Sequence, residues 1–354
     1  MKITVVFDTP YDGWGPHEHM ARMEEEVAGW NDSEPEQEYQ VAHALLKKGH
    51  DVQLLPVGED PSELLSGLRD RPPDVVFNCT EAFQNMDKLD FVVPALLEAE
   101  ELCYTGAPPV ALMATRNKAL SKKLLSHHGI HVPDFVTYRL GEKVPAKVDM
   151  TFPVIVKPLQ LDASMGISQA SVVHSRDELA ARVEFVHQRF AGAAIAEQFV
   201  AGRELYIGLL GNGKKLKVLP ATEMVFDKDT KPEERIATKS AKWDEGYRER
   251  KGVKNVIARP LSKSVQEELE RIAVTAFRTL WLRDYARLDI RLDADDGIWV
   301  IEANANPYLN WEHEISKAAQ KSGLEWPDFI DKIAKVARKR YRKRRSASNR
   351  KKVA

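Results

Sequence analysis

Four polar residues in one segment, YARLDIRLDADDGIWVIEAN (residues 285–304), have the types and spacing of a metal site. Two alternating runs flank ADDG, which predicts a β-hairpin. A symmetric hairpin pairs Asp289 with Glu302 and Arg287 with Asn304, and it puts the four side chains on one face. Opposed carboxylates repel each other, and a Mg²⁺ ion, which binds carboxylate and amide oxygens, would remove that repulsion. The alternative is a solvated face on which the arginines of the first strand pair the acids.

Mg²⁺ usually takes further ligands from substrate phosphates, so cations are expected near the hairpin. Lys157 ends the apolar strand FPVIVKP, and the small residues of the following loop, DASMGIS, let backbone amides approach an anion. Lys118 begins a helix, and Lys242 is predicted in a polar loop. In AEQFVAGREL (residues 196–205), acidic residues beside Phe199 would suit a ribose and a flat base, although a surface turn has the same composition.

The elements that must position these residues begin with a β-α-β-α-β pattern over residues 1–107. KITVVFD, DVQLLPV and DVVFNCTEAF are predicted strands, and residues 35–48 have helical spacing. This order predicts a small parallel sheet, and ligands of such sheets bind at the carboxyl ends of the strands. Residues 8–14 and 78–83 would then lie beside a site.

The rest of the chain mixes helices and strands. SRDELAARVEFVHQRF and SKSVQEELERIAVTAFRTLW are predicted helices, whereas AAIAEQFV, RELYIGLLG and KLKVLPATEMVF are predicted strands. The second face of the hairpin is predicted to be apolar, with Leu288, Ile290, Ile301 and Ala303 pointing into a core.

Composition is typical of a globular protein, with 43% hydrophobic and 30% charged residues among 354. No apolar run is long enough to span a bilayer, the N-terminal run is too short for a signal peptide, and two cysteines provide neither a disulfide framework nor a cysteine metal site. We therefore expect a cytoplasmic protein without membrane contact. Ten of the basic residues lie in residues 338–354, which leaves 42 basic against 53 acidic residues elsewhere. This tail is predicted either to be disordered or to contact nucleic acid or an anionic surface.

Six ordered motifs resemble those of the ATP-grasp enzymes, and within them the D-alanine–D-alanine ligase group. The motifs are RNKALSKKLL, FPVIVKP with DASMGIS, AEQFVAGREL, SAKW, RLDIRL and IEANANP, and the similarity runs from about residue 74 to 310. The resemblance implies an N-terminal parallel α/β domain (1–107) followed by a two-lobed, α+β ATP-grasp fold. Its small lobe would span 108–192 and its C-terminal lobe 193–330, with a basic, disordered tail at 331–354.

The resemblance also implies roles for individual residues. The 162–167 loop would fold over the phosphates of ATP, Glu204 would take the ribose hydroxyls, and Arg287 would contact the phosphorylated intermediate. The residues expected to contact ATP are Lys118, Lys157, Ser164, Gly166, Glu197, Gln198, Phe199, Val200, Glu204 and Lys242. Asp289, Glu302 and Asn304 would hold two Mg²⁺ ions, for which Mn²⁺ can substitute. Arg287, Lys242 and Ser164 would act in catalysis.

The chemistry that the resemblance implies is ligation of a carboxylate to an amine through an acyl phosphate. Departures from the group's pattern concern the substrate side: Tyr308 stands where a glycine is usual, Ala163 where a loop serine is usual, and Trp243 where a tyrosine follows the lysine. An amino acid or small peptide other than D-alanine is therefore expected, with Asp12, Trp14, Glu81 and Tyr308 as candidate substrate contacts. The alternatives are a true D-alanine–D-alanine ligase and a non-catalytic nucleotide-binding module that engages nucleic acid through the tail. A homodimer is expected by analogy.

Overall fold

The computed structural model describes residues 1–8 and 37–353, with side chains as far as residue 343. Asp12 and Trp14, two of the predicted substrate contacts, lie outside the described residues. Three sheets organise the described chain: a parallel sheet near the N-terminus, a four-stranded antiparallel sheet and a six-stranded antiparallel sheet.

The N-terminal sheet confirms the predicted parallel β-α-β-α-β arrangement, with strand order β2-β1-β3. Both faces of its central strand are covered. Val6 packs with Leu64 and Leu97 on one side, whereas Val5 packs with Leu45 on the other. Burial on both faces explains why these strands are continuously apolar. The elements are β1 (Lys2–Asp8), α1 (Gln37–Lys47), β2 (Asp51–Val57), α2 (Pro61–Asp70), β3 (Val75–Asn78) and α3 (Val92–Ala99).

The small lobe is built on a sheet of order β4-β7-β5-β6. Its strands are β4 (Phe135–Tyr138), β5 (Val154–Pro158), β6 (Val172–Val173) and β7 (Ala194–Gln198), and α6 (Arg176–Phe190) covers them after α4 (Pro109–Arg116) and α5 (Lys118–His127). The predicted lobe boundaries need correction at both ends. β7 pairs with β4 and β5, so the lobe extends to Gln198 rather than to residue 192. Ala111 of α4 and Leu125 of α5 are buried in the core of the C-terminal lobe, because that core covers their apolar faces.

The C-terminal lobe contains the predicted hairpin at one edge of a sheet of order β11-β10-β8-β12-β13, with β9 paired to β8. The inner strand β12 is buried along its whole length because β8 and β13 flank it and α9 packs in the same core. The elements are β8 (Arg203–Leu210), β9 (Lys217–Val218), β10 (Thr222–Val225), α7 (Lys239–Trp243), α8 (Glu245–Arg250), β11 (Lys254–Ile257), α9 (Lys263–Thr279), β12 (Tyr285–Leu292), β13 (Ile298–Asn304) and α10 (Glu314–Lys321).

A long C-terminal helix, α11 (Trp326–Val353), returns to the N-terminal domain. Phe329 and Ile333 are fully buried beside α1, and the Arg340 guanidinium donates to Asp284 Oδ1 and Oδ2 at 3.0 and 2.9 Å. The predicted disordered tail is therefore wrong for residues 331–343, because apolar residues in this basic segment recur at helical spacing and find a core. Contact of the tail with nucleic acid stays a prediction from sequence. Among the described residues, no helix has both the length and the apolar character needed to cross a membrane.

Candidate active site

The hairpin has the predicted register, with Asp289 opposite Glu302 and Arg287 opposite Asn304. A β-bulge then shifts the pairing, since Ile290 lies opposite Val300 and leaves Ile301 without a partner across the strands. The bulge corrects the prediction for Ile301. Its side chain lines the cleft next to Glu302 instead of entering the core, because two consecutive residues of a bulged strand oppose one residue of its neighbour.

The acidic residues of the hairpin are paired with cations. Arg287 donates to both carboxylate oxygens of Asp289, at 2.7 and 3.1 Å, and Asn304 Nδ2 lies 3.0 Å from Asp289 Oδ1. Lys118 Nζ lies 2.8 Å from Glu302 Oε1. Burial would raise the pKa of Glu302, but Lys118 and the other nearby lysines hold that pKa at about 2. The ion pairing of the predicted solvated face is thus present, but in a buried setting.

Two lysines on one face of α5 reach the cleft from the same helix. Asn117 caps this helix by accepting from the backbone N–H of Leu120, which fixes Lys118 in its first turn. Lys122, one helical turn later, donates to the carbonyl of the bulged Ile301 at 2.7 Å and lies 3.5 Å from Glu197. Its burial lowers the pKa of Lys122 to about 8. Sequence reasoning overlooked Lys122, although its four-residue spacing from Lys118 predicts a shared helix face.

The cleft between the lobes holds about 600 Å³, including space open to solvent. Lys157 Nζ, at the end of β5, lies 2.9 Å from Glu197 Oε2, while Glu197 Oε1 is buried and has no hydrogen-bond partner among the described residues. Glu204 is held by Arg291 at 2.7 Å and accepts from the Tyr206 hydroxyl at 3.1 Å. The lining comprises Ile155, Lys157, Ser164, Ile167, Glu197, Gln198, Phe199, Val200, Glu204, Ile236, Ala237, Lys242, Asp289, Arg291, Ile301 and Glu302.

The lining includes most of the predicted nucleotide residues. Three predicted residues, Lys118, Arg287 and Asn304, adjoin it through their contacts with Glu302 and Asp289. Glu204 was predicted as a site residue, whereas its partner Arg291 and the apolar lining residues outside the hinge were not. These unpredicted residues come from separate segments of the chain whose proximity only the fold reveals.

The 162–167 loop of the small lobe reaches the C-terminal lobe. The Ser164 hydroxyl donates to the carbonyl of Ala237 at 2.7 Å, and Trp243 Nε1 donates to the carbonyl of Ala163 at 3.3 Å. Gly166 has φ +75°, and a Cβ there would lie 2.7 Å from Phe190 Cε2, so only glycine fits. The predicted loop thus covers the cleft, with its serine hydroxyl engaged by the opposite lobe.

Lys242 lies in a short helix, which corrects the predicted polar loop. Thr238 caps α7 by accepting from the backbone N–H of Ala241, a signal that was present in the sequence. Lys242 Nζ lies 3.9 Å from Asp289 Oδ2. The cap therefore holds the helix that places this lysine near the hairpin carboxylate.

An aromatic cluster and a second buried acid lie near the hairpin residue Arg287. The rings of Trp243, Tyr308 and His313 form a cluster with centroid separations of 4.8 to 6.1 Å. Glu314, which sequence reasoning also overlooked, is buried and lies 3.3 Å from Arg287 NH1. Tyr308 is thus close to the predicted catalytic residues.

Glu81 is exposed and does not line the cleft. Its backbone N–H donates to Asp8 Oδ1 at 2.7 Å, so the ends of two neighbouring N-terminal strands do meet, as predicted. Its proposed contact with substrate stays a prediction.

Comparisons with known proteins agree with this geometry. The family model described as "D-ala D-ala ligase C-terminus" matches residues 124–335. An uncharacterized protein, y4sG, from Sinorhizobium fredii is 32% identical over 309 residues, covering 85% of this chain and 87% of that protein. A D-alanine–D-alanine ligase from Lacticaseibacillus casei is 28% identical over 70% of this chain, which spans 64% of that ligase.

The fold is also that of a solved ligase. The structure of a D-alanine–D-alanine ligase from Bacillus anthracis complexed with ATP superposes with a TM-score of 0.72, covering 97% of this chain and 99% of that one at 18% identity. The chain therefore belongs to the D-alanine–D-alanine ligase family and is an ATP-grasp ligase of the class that forms C–N bonds.

Proposed function

We propose that the protein joins the carboxylate of an amino acid or small peptide to an amine, with ATP and Mg²⁺, through an acyl phosphate. The observation that carries this proposal is the convergence of three lysines on three carboxylates around one cleft. Lys118 contacts Glu302, and Lys242 approaches Asp289. Lys157 contacts Glu197, a third carboxylate of the cleft. Such a set suits a polyphosphate together with a divalent cation.

The hinge end of the cleft suits a nucleoside. Phe199, Ile155 and Ile301 provide apolar surface for a flat base. The unpartnered Glu197 Oε1 is a buried acceptor, which suits the exocyclic amino group of adenine. Glu204 would accept from the ribose hydroxyls.

The hairpin fits a divalent cation with few protein ligands. In the described part of the chain, no three His, Cys, Asp or Glu residues are arranged to hold a metal ion by themselves. Mg²⁺ is commonly held by one or two carboxylates plus substrate phosphates. Asp289 and Glu302, with the Asn304 amide, would hold it, and Mn²⁺ would substitute. When bound, the ion neutralises phosphate charge.

The reaction then follows from charge and position. The substrate carboxylate attacks the γ-phosphorus of ATP, the bond to the bridging oxygen breaks, and ADP leaves. The amine nitrogen next attacks the acyl carbon, the carbon–oxygen bond to phosphate breaks, and the amine proton is released to solvent. Lys242 and Arg287 would stabilise the negative charge of the transferred phosphoryl group, and the 162–167 loop would exclude water.

The test is release of ADP and phosphate with Mg²⁺-ATP across amino acids and dipeptides of both chiralities, alone and paired with amino acids, amino-acid amides or simple amines. Mass spectrometry would identify the product, and Glu302→Gln is the control. We expect one or more pairs to drive release that the variant lacks. Binding of Mg²⁺-ATP without release under any pair would favour a binding module over a ligase. Failure to bind Mg²⁺-ATP would contradict the nucleotide site itself.

D-alanine is the first substrate to test, because several relatives bear the name D-alanine–D-alanine ligase. The side chains of Tyr308 and Trp243 favour a different substrate, since Tyr308 stands where the ligase group has a glycine and its ring packs with that of Trp243, the neighbour of Lys242. A product other than D-alanyl-D-alanine is therefore expected.

A further inference from the structure

The polar contacts of the site form a path that leads away from the nucleotide end. Glu197 of the hinge lies 3.5 Å from Lys122, which donates to the Ile301 carbonyl of the hairpin. On the same hairpin Arg287 clasps Asp289, and Glu314 lies on the far side of the guanidinium. Because ATP would occupy the hinge side, the amine is expected to approach the acyl carbon from this far side.

Glu314 is a buried carboxylate fixed by three partners. Arg287 NH1 donates to Oε2 at 3.3 Å, Asn255 Nδ2 donates to Oε1 at 2.9 Å, and His313 Nδ1 lies 3.7 Å from Oε2. Burial would raise the pKa of Glu314, but Arg287 and His313 hold it well below its usual range. The carboxylate is therefore ionised at neutral pH.

Glu314 also accepts from NH1 of Arg287, the guanidinium nitrogen that does not donate to Asp289. Nε and NH2 of Arg287 donate to Asp289, and NH1 donates to Glu314. A carboxylate on the incoming amine would have to displace one of these two acids, and it would stay beside the negative charge of the other. The far side of the site thus disfavours a substrate anion.

An aromatic cluster that adjoins Glu314 through His313 is suited to a cation. The ring of Trp243 is 46% exposed while its Nε1 is anchored on Ala163, and the rings of Tyr308 and His313 stand within 6.1 Å of it. Aromatic faces near a carboxylate attract ammonium groups.

We propose that Glu314 and the rings of Trp243, Tyr308 and His313 form the amine subsite. It selects an amine that enters as its ammonium ion, releases that proton to solvent before the nitrogen attacks, and carries no carboxylate next to its amino group. Amino-acid amides and simple amines belong to this class, whereas free amino acids do not. The inference rests on the proposed ligase function and specifies its second substrate.

The first arm of the test separates the two proposals. Hydroxylamine, a small nucleophile that needs no subsite, is supplied with Mg²⁺-ATP and a panel of amino-acid and dipeptide carboxylates, and hydroxamate is measured. Formation of hydroxamate shows that a carboxylate is activated, whatever the amine subsite selects. Its absence with every carboxylate would refute the ligase function, and the amine subsite would fall with it.

The second arm measures selectivity. D-Alanine and D-alaninamide, and then their L-enantiomers, compete in one vessel for the activated carboxylate, and the product ratio gives the ratio of kcat/KM. We expect the amide to be favoured about tenfold or more, because a second carboxylate near Glu314 is repelled at short range. Glu314→Gln should reduce this ratio by about tenfold. Glu312→Gln, an exposed acid two residues away, should leave it unchanged.

Because the ratio is measured within each variant, loss of overall activity does not affect it. If Glu314→Gln fails to fold, Trp243→Leu provides a second measure, with KM for D-alaninamide expected to rise about 2- to 30-fold from loss of the cation–π contact. A wild-type preference for the free amino acid would overturn the proposal. An unchanged ratio in Glu314→Gln, or an unchanged KM in Trp243→Leu, would overturn it as well.

Discussion

Replacing Gly166 with alanine should prevent the 162–167 loop from closing over the cleft. Gly166 has φ +75°, and an added Cβ would lie 2.7 Å from Phe190 Cε2 and 2.8 Å from Pro158 Cγ. The left-handed backbone costs alanine about 1–2 kcal/mol. Overlap with two packed rings adds about 1–3 kcal/mol, because neither ring is the flexible end of a side chain.

A matched control separates these two contributions. Gly141 has φ +80°, but nothing lies within 4 Å of the position where its Cβ would be. Gly141→Ala therefore includes the backbone effect alone, at a turn outside the cleft. The difference between the two variants isolates the overlap at the loop.

The assay is calorimetric titration with Mg²⁺-ATP, accompanied by thermal unfolding. If the overlap energy appears as loss of the closed loop, Gly166→Ala should weaken ATP binding by about 5- to 150-fold. Gly141→Ala should bind ATP as the wild type does. Adding Phe190→Leu to Gly166→Ala should recover part of the affinity, because the nearest ring atoms are removed. Equal ATP affinity in the two glycine variants would refute the role assigned to the loop.

Three further predictions concern buried charges. Lys122 has a pKa of about 8 in the folded protein, below its ordinary value of 10.5. Between these two pH values the unfolded chain keeps this proton and the folded protein loses it, so the folded state becomes more stable as pH rises. The free energy of unfolding of the wild type should therefore increase by up to about 3 kcal/mol relative to that of Lys122→Met as pH rises from 8 to 10.5. Urea unfolding at several pH values measures this difference. Glu223 has a pKa of about 2, below its ordinary 4.5, because Arg203 and Arg259 outweigh the effect of burial. Its contribution to stability is present above pH 4.5, and the advantage of the wild type over Glu223→Gln should disappear as pH falls toward 2 in thermal melts. Arg340→Ala should lower the free energy of unfolding by about 3 kcal/mol, because it leaves Asp284 without its charged partner.

Each of these has a result that would contradict it. A stability difference between wild type and Lys122→Met that is constant above pH 8 would show that Lys122 is not the titrating group. If the melting temperatures of wild type and Glu223→Gln fall in parallel as pH is lowered, Glu223 does not contribute to acid unfolding. Lys339→Ala, at an exposed neighbour on the same helix, is the control for Arg340→Ala. Equal decreases in the free energy of unfolding for both variants would show that Arg340 does not anchor the helix.

The sequence predicted those parts of the site that depend on a repeating period. Alternation around a turn signal fixed the register of the hairpin, so the pairing of Asp289 with Glu302 was correct. The bulge was not predicted, because one unpaired residue leaves the alternation of the flanking runs intact. It nevertheless decides which side chain lines the cleft, since Ile301 turns toward the ligand space and its carbonyl accepts from Lys122.

Residues that function through partners distant in sequence were harder to predict. Glu314 begins a short helix and resembles an ordinary helix N-terminal acid until β12 brings Arg287 beside it. The C-terminal helix was misjudged for a related reason. Its charge suggested solvation, whereas Phe329 and Ile333 are covered by an element almost three hundred residues earlier in the chain.

The charges of the cleft explain why opposed carboxylates are tolerated there. In the described residues, Glu302 is held by Lys118 and Asp289 by Arg287, so both opposed carboxylates of the hairpin have a cationic partner. If the phosphates of ATP bind Lys118 and Arg287, the two hairpin carboxylates lose their cationic partners. An unpaired buried charge is strongly unfavourable. In the proposed function, a divalent cation that arrives with the nucleotide would supply the missing positive charge. Nucleotide without a divalent cation should therefore bind poorly, which calorimetric titration with ATP in the presence of EDTA would measure.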